Sequence, residues 1–340
     1  MPFITTDDAR WSELLRTAPY DFYHLPEYAQ LDAKVLGGKA MGWFSGPEYT
    51  PCLIPLISRN IYSYGVDLVS PYGYPGILSR ESLSSAEATR VIQSFYHDAA
   101  DAGYISTFLR LNTLMNNWEI PADEFIRQKS GGNTVSIDLL QGLEHITASF
   151  SENHRHDIRK LIRNGFTSQV NRWEYFPDFL TAYNQTMNRR KAGDYYFFNE
   201  DYFEGLNHLP GTKLLFISIT DRVGKFVAGG IFMLTGKVMQ FHLGATLDVA
   251  VSQSPSKLMI MEAVNQGLLM KTETLHLGGG TGASTMDGLF RFKKGFFYHI
   301  HPFNTLRMIH DNLKYAWLLN GIPVAVNEEF FPAYRTKGAL

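Results

Sequence analysis

Leu214-Leu215-Phe216-Ile217-Ser218-Ile219-Thr220, Phe226-Val227-Ala228-Gly229-Gly230-Ile231-Phe232-Met233-Leu234 and Val238-Met239-Gln240-Phe241-His242-Leu243 are three consecutive runs of apolar, β-branched and aromatic residues. The spacers, Asp221 to Lys225 and Thr235-Gly236-Lys237, are short and carry glycine, as tight hairpins require. A three-stranded antiparallel meander is predicted. Pro255 then opens Ser256 to Met270, where Leu258, Met259, Met261, Ala263, Val264 and Leu268 recur at helical spacing. Proline suits a first turn, because the amide it lacks has no intrahelical partner there. A short strand, Thr274 to Leu277, leads to Gly278-Gly279-Gly280, and a basic-aromatic run from Leu289 to Phe297 follows, read as a further strand.

The first half follows the same plan. Helix-like Asp7 to Leu15 and Pro26 to Leu36 precede strand-like Ala40 to Phe44, Thr50 to Ile57 and Val66 to Ser70, a helix over Ser85 to Ala102 and a strand over Tyr104 to Leu111. Meander, helix and strand are thus met twice, in the same order. The expected class is α/β (α+β), with two tandem domains, each a mixed, splayed sheet flanked by helices. The boundary is expected near Val135 to Leu143, after Gly131-Gly132-Asn133, giving domains 1–140 and 141–302. A last helix is expected over Thr305 to Leu319.

Composition limits the function classes. The chain has 340 residues, 45% of them apolar, enough for two ordinary domains with their own cores. No stretch near the N-terminus reads as a signal peptide and no apolar run approaches the ~20 residues of a membrane span, so a soluble, cytoplasmic protein is expected. A net charge of −2 argues against a general polyanion binder. Basic clusters exist locally: His154 to Arg163 as a helix with Ile158, Leu161 and Ile162 on its apolar side, Arg189-Arg190-Lys191, and Arg291 with Lys293-Lys294. Each reads as a solvated face or, taken together, as a site for a phosphate-bearing ligand. The lone Cys52 sits in a strand-like run and reads as a buried, inert thiol.

Ala228-Gly229-Gly230-Ile231, Phe241-His242-Leu243-Gly244-Ala245, Ser254-Pro255-Ser256-Lys257-Leu258, Gly278-Gly279-Gly280 and Phe290-Arg291-Phe292-Lys293-Lys294-Gly295-Phe296 resemble, in order and spacing, the Fem-like branch of the GNAT N-acyltransferase superfamily. Tyr20 to Tyr28 and Ser70-Pro71-Tyr72-Gly73-Tyr74-Pro75-Gly76 resemble earlier segments of such proteins, so the likeness spans nearly the whole chain. It implies tandem GNAT-like domains, with residues 303–340 packing back on the first. It also implies aminoacyl or acyl transfer to an amine or hydroxyl of a cell-envelope precursor, of peptidoglycan or polysaccharide. The donor would be aminoacyl-tRNA or an acyl thioester, with aminoacyl-tRNA or an acyl-carrier protein as partner and no tightly bound cofactor.

Such transfer needs a neutral nucleophile, donors or positive charge where the carbonyl oxygen becomes an oxyanion, and a route for a proton. The resemblance places Phe292 and Lys293 beside the reacting groups and Tyr202 against the substrate. Without it, Phe292 and Phe296 read as core aromatics of a strand and the lysines as its solvated alternates. Where related proteins carry a further tyrosine this chain has Phe241-His242, and His242 is a candidate proton relay or a packed strand histidine. Arg159, Arg189, Tyr72 and Tyr74 complete the substrate-binding candidates.

Other chemistries lack their motifs. His154 and His156 do not share a helix face and no cysteine or carboxylate pair completes a metal set, so no metal is expected. Gly278-Gly279-Gly280-Thr281-Gly282 is neither a dinucleotide fingerprint nor a phosphate loop, and Ser284 has no nucleophile elbow. Gln253-Ser254-Pro255-Ser256-Lys257-Leu258 has no glycine where coenzyme-A-dependent GNAT enzymes form a pyrophosphate turn. After Tyr28 the chain has Asp32 and Lys34 rather than the lysine pattern of cross-bridge enzymes. Two further readings stay open: coenzyme-A- or carrier-protein-dependent N-acylation of an amino sugar, and an inactive tandem-domain scaffold.

Overall fold

In the computed structural model, which describes residues 1–121, 125–280, 286–296, 299–320 and 330–336, β1 (Phe3–Ile4), α1 (Ala9–Thr17) and α2 (Pro26–Leu36) lead into β2 (Lys39–Phe44), β3 (Cys52–Ile61) and β4 (Gly65–Val69). These last three strands pair antiparallel in sequence order. The short β5 (Leu78–Ser79) joins the start of β3. Helix α3 (Ser85–Asp101) starts at a reciprocal Ser84–Glu87 capping box, which satisfies two otherwise orphaned amides. It buries Val91, Ile92, Phe95 and Ala99 among Ile54, Leu56, Leu68 and Leu109. β6 (Ser106–Arg110) then runs parallel to β4, through only Leu68↔Thr107 and Val69↔Phe108. Cys52 is fully buried here, and burial pushes its thiol up to about 12.

Strand β7 (Ile126–Asp138) carries the chain from the first compact unit, Met1–Gly131 with the chain from Pro302 onward, into the second, Gly132–His301. The division falls inside this strand, ahead of the expected Val135 to Leu143, and Gly131-Gly132-Asn133 is strand.

The second unit repeats the order of elements. After α4 (Leu143–Ser149), α5 (Glu152–Arg163), β8 (Thr167–Val170), α6 (Phe176–Arg189) and α7 (Glu200–Asn207) comes the meander β9 (Thr212–Thr220), β10 (Phe226–Thr235) and β11 (Val238–Thr246). Helix α8 (Ser256–Leu269), β12 (Thr274–Gly279) and α9 (Gly288–Lys294) follow. Its strand order is β7-β12-β11-β10-β9-β8. β12 is parallel to β11 and antiparallel to β7. Residues Leu215, Ile217 and Ile219 of β9, Phe232 of β10 and Met239 of β11 bury against Met259, Ile260, Ala263 and Val264 of α8. The opposite face receives α6 and α7, where Phe176, Phe179 and Phe203 pack edge-on around the Phe216 side of the sheet.

β13 (His299–Ile309) returns the chain to the first unit and pairs antiparallel with β6, and α10 (Asn312–Asn320) follows. Thr305 to Ile309 is therefore strand rather than the start of the expected Thr305 to Leu319 helix. Leu306 and Met308 alternate into the core, a period of two that the helical reading overlooked. Ile162, expected on the buried side of α5, is 56% exposed, whereas Ile158 and Leu161 are buried. No described helix is long and apolar enough to cross a membrane.

Candidate active site

Strands β11 and β12 pair over three residues only, Val238–Gln240 with Thr274–His276. The last rung is reinforced by a side-chain bond between Gln240 and the Nδ1 of His276, 2.5 Å long. Beyond it the ladder stops, and β12 continues through Gly278 and Gly279 along β7 instead. Lys293 bridges this gap. Its Nζ donates to the Gly279 carbonyl at 2.7 Å and lies 5.7 Å from the centre of the Phe241 ring on β11.

Lys293 arrives there from a helix, not from the expected strand. Asp287 caps α9 by accepting from the Phe290 amide at 2.8 Å. The buried residues Phe290, Lys293 and Phe296 recur every third position, which a helix turns to one side. The alternation of aromatic and basic residues imitated a strand; Asp287, set one residue ahead of the first helical position, was the signal for a helix. Lys293 is 8% exposed and is not a solvated alternate. Burial, then the charge of Arg190, partly offset by Asp287, pushes its amine down to about 7. An amine so placed holds both protonation states near neutral pH.

The carbonyl end of α9 is held by α5. His154 Nε2 donates to the Phe292 carbonyl at 2.9 Å, and its ring meets Phe296 edge-on. A Cβ on Gly295 would come within 2.3 Å of that nitrogen, so the glycine is required for the contact. The sequence offered His154 as part of a basic cluster and as a rejected metal ligand; its role depends on a contact with a residue more than a hundred positions away. Phe292 is half-buried between His154 and Phe296, so its ring lies against His154.

Phe241 owes its position to glycines. Gly230 pairs with Gly244 across β10 and β11. A Cβ on Gly244 would stand 2.4 Å from Phe241 Cζ, and one on Gly230 would stand 2.8 Å from the Met259 sulfur and 3.1 Å from Phe241. The ring therefore lies over bare backbone, stacked on Phe232 at 5.0 Å.

Next to it, β11 departs from regular register between Ile231 and Phe232, and His242 is the extra residue. It turns to the α6–α7 face. There the Tyr202 hydroxyl and His242 Nε2 lie 2.9 Å apart, and Tyr202 stacks on Phe198 at 3.9 Å. Asn199 caps α7 through the Tyr202 amide. Tyr202 is 1% exposed, and burial pushes His242 down to about 3. The expected cleft, with Tyr202 and Lys293 side by side, is thus two contacts reached from consecutive residues on opposite faces of β11. His276, also pushed down to about 3 by burial and by the charges of His301 and Lys293, and His301, bonded to Ser136 at 2.7 Å, extend the polar lining that the sequence reading missed.

The remaining candidates fall elsewhere. Arg189 pairs with Asp248, and its neighbour Arg190 is the arginine whose charge reaches Lys293. Arg159 is exposed on α5, bonds the Arg155 carbonyl, and lines an open groove with Phe150, Ile158 and Met261. Tyr72 and Tyr74 belong to the first unit. There the Tyr72 amide donates to Asp32, its carbonyl accepts from the Tyr28 hydroxyl, and the Tyr74 carbonyl accepts from Asn112. These bonds fasten the Ser70–Gly76 loop to α2 and to the chain just after β6. Among the described residues no cluster of histidine, cysteine and carboxylate side chains could hold a metal ion. Thr281, Gly282, Ser284 and Phe297 lie outside the described residues.

No protein-family model matches the sequence and no curated protein does. Solved structures do match. FemX shares the fold over 93% of this chain and 99% of its own, with a TM-score of 0.67 and 14% identity. The C-terminal domain of a protein named as a lysylphosphatidylglycerol synthetase from Agrobacterium fabrum covers 92% of this chain and 94% of its own, at a TM-score of 0.56 and 14% identity. L-PGS from Bacillus licheniformis covers 91% and 94%, at 0.56 and 16%. The resemblance holds at the level of the fold: this chain is a mixed α/β protein that shares the fold of FemX.

Proposed function

We propose that the protein transfers an aminoacyl or acyl group to an amine or hydroxyl of a cell-envelope precursor. The observation that carries this reading is the buried amine of Lys293, poised in the gap where parallel strands β11 and β12 part, between the Gly279 carbonyl and the Phe241 ring. A donor carbonyl entering this gap would meet a cation held by the Gly279 carbonyl and the Phe241 ring. As the acceptor attacks and the carbonyl oxygen gains charge, the ammonium can turn from Gly279 to that oxygen, where low dielectric strengthens the interaction. Collapse of the tetrahedral intermediate then expels the donor's alcohol or thiol, and an amine of pKa near 7 can give that leaving group its proton and take up in turn the proton the acceptor releases. Tyr202 and His242, buried together on the other face of β11, would hold the strand that carries Phe241.

The name of one structural neighbour supports an aminoacyl donor, since lysylphosphatidylglycerol is lysine joined to a lipid hydroxyl. The glycine-free entry to α8 supports the same choice. Its first-turn amides of Lys257 and Leu258 already donate to Ser254 and Pro255, and the Lys257 ammonium is committed to Asp157. These groups are not available to a pyrophosphate. The alternative, a thioester donor with an amino-sugar acceptor, uses the same gap.

The test is a transfer assay with radiolabelled aminoacyl-tRNA and with acyl-coenzyme A, each offered to a panel of envelope precursors bearing free amines or hydroxyls. Label moving to an acceptor from aminoacyl-tRNA, and lost in Lys293→Met, supports the proposal. Transfer from coenzyme A alone favours the alternative. Absence of transfer from either donor leaves the scaffold reading.

A further inference from the structure

Ser151, His154 and Asp157 recur at every third position along the start of α5, a spacing that a helix turns to one side. Each reaches outside its own helix. The Ser151 amide donates to the Gly295 carbonyl at 2.8 Å, His154 Nε2 donates to the Phe292 carbonyl at 2.9 Å, and Asp157 accepts from the buried Lys257 ammonium at 2.5 Å. The first two contacts hold the end of α9, and the third holds the first turn of α8.

The Phe292 carbonyl and the Lys293 amide belong to one planar peptide unit. A donor fixed on that carbonyl therefore fixes the plane from which the Lys293 side chain leaves the backbone. A helix of seven residues has little stability of its own, and α9 is anchored at its start by Asp287 and at its end by α5. Lys293 lies in the last turn, beside the second anchor. A carbonyl only accepts, so His154 Nε2 carries the proton, while Nδ1 is buried without a hydrogen-bond partner among the described residues. Burial holds the imidazole below its ordinary range, so near neutral pH it donates as an uncharged ring.

We propose that His154 is the positioning residue of Lys293: it sets the peptide plane from which the lysine reaches the gap between β11 and β12, while Asp157 ties the same helix to α8. This role rests on the reading of Lys293 as the group that meets the donor carbonyl, and extends it from the amine to the support that aims it. The groups whose charge reaches the amine are Arg190, Asp287 and His276, none of them on α5. A change in the titration of Lys293 when His154 is altered thus reports a displacement and not a lost charge.

In the full chain with isotopically labelled lysine, the Nζ resonance of Lys293, assigned by its loss in Lys293→Met, gives the titration midpoint without any substrate. His154→Phe keeps a ring against Phe296 and loses the donor. The amine should then swing toward water and its midpoint rise by about one pH unit, leaving roughly fivefold less neutral amine at pH 7. His154→Gln, whose amide nitrogen lies as many bonds from the backbone as Nε2, should return the midpoint close to the native one. A merely structural role predicts the opposite order, since glutamine fills the aromatic site worse than phenylalanine. Arg163→Gln, exposed at the far end of α5, should change nothing. Should His154→Phe fail to fold, Gly295→Ala decides, because its Cβ would come within 2.3 Å of Nε2 and move the ring off the carbonyl; its midpoint should rise as well. An unchanged midpoint in the variant that folds, or a midpoint raised equally by His154→Gln, overturns the positioning role and leaves the chemistry of Lys293 standing. A raised midpoint together with full transfer by Lys293→Met keeps the positioning and removes only that chemistry.

Discussion

The Nζ of Lys293 lies 5.7 Å from the centre of the Phe241 ring, on the far side of a gap between two parallel strands that pair through only three residues. An ammonium can be kept in so little water because the ring face and the Gly279 carbonyl supply partial negative charge. Most of the proposed chemistry depends on that placement.

Lys293→Met should lower turnover by ~10² to 10³, the usual cost of removing one preorganised oxyanion donor. The methionine keeps the packing of the stem, so circular dichroism should be unchanged. With the native lysine, kcat/KM should fall as pH rises through about 7, where the free amine loses its proton, and the variant should lack that limb. Wild-type turnover in Lys293→Met would remove the lysine from the mechanism.

The same amine sets a pH dependence of stability. Its folded value, about 7, lies below the ordinary 10.5, so between these values the unfolded chain holds more protons. Stability must therefore rise with pH across this window. The penalty is complete below pH about 7 and fades toward the ordinary lysine value. Lys293→Met should accordingly be more stable than the native chain at neutral pH, by about 1–3 kcal/mol after loss of the Gly279 bond, with the advantage shrinking in alkali. Urea midpoints at neutral and alkaline pH measure this directly; a pH-independent difference contradicts it.

Gly244→Ala tests the seat of Phe241. A Cβ 2.4 Å from Phe241 Cζ forces the ring away, an overpacking that typically costs about 1–3 kcal/mol. Transfer should drop with it although Gly244 touches no substrate, and the alkaline limb of the pH profile should shift. An unchanged melting curve together with unchanged turnover argues that the ring is not held there.

Tyr202→Phe removes the hydroxyl that faces His242 Nε2 at 2.9 Å and leaves the ring stacked on Phe198. Turnover should fall by less than in Lys293→Met, because the buried phenol acts only through its hold on β11. A collapse of kcat at constant KM would instead place the phenol in the chemical step.

Coenzyme A should bind the second unit weakly, because the first-turn amides of Lys257 and Leu258 are internally satisfied and no glycine opens the turn. Calorimetry giving a micromolar dissociation constant is the result that refutes this.

The meander was legible in the chain because short glycine-bearing spacers and apolar runs act locally, and the observed β9, β10 and β11 fall where Leu214 to Leu243 indicated. Helix α8 was equally legible from Pro255 and its periodic apolar residues. Phe290 to Phe296 was not, since alternating phenylalanine and basic residues satisfy a strand while Asp287 and a buried lysine belong to a helix. Thr305 to Ile309 was misread for the complementary reason: its partner strand, β6, lies far away in sequence.

What the sequence determined by itself is therefore the local grammar: which segments are strands of a meander, where α8 begins, and that two stretches share one order of elements. Tertiary structure alone decided which of them meet. Only folding brings His154 to the Phe292 carbonyl, Lys293 to Gly279, and Asp157 to Lys257. Such contacts join residues on separate elements, and their energies come from burial and charge in a shared low-dielectric space that no local window of the chain contains.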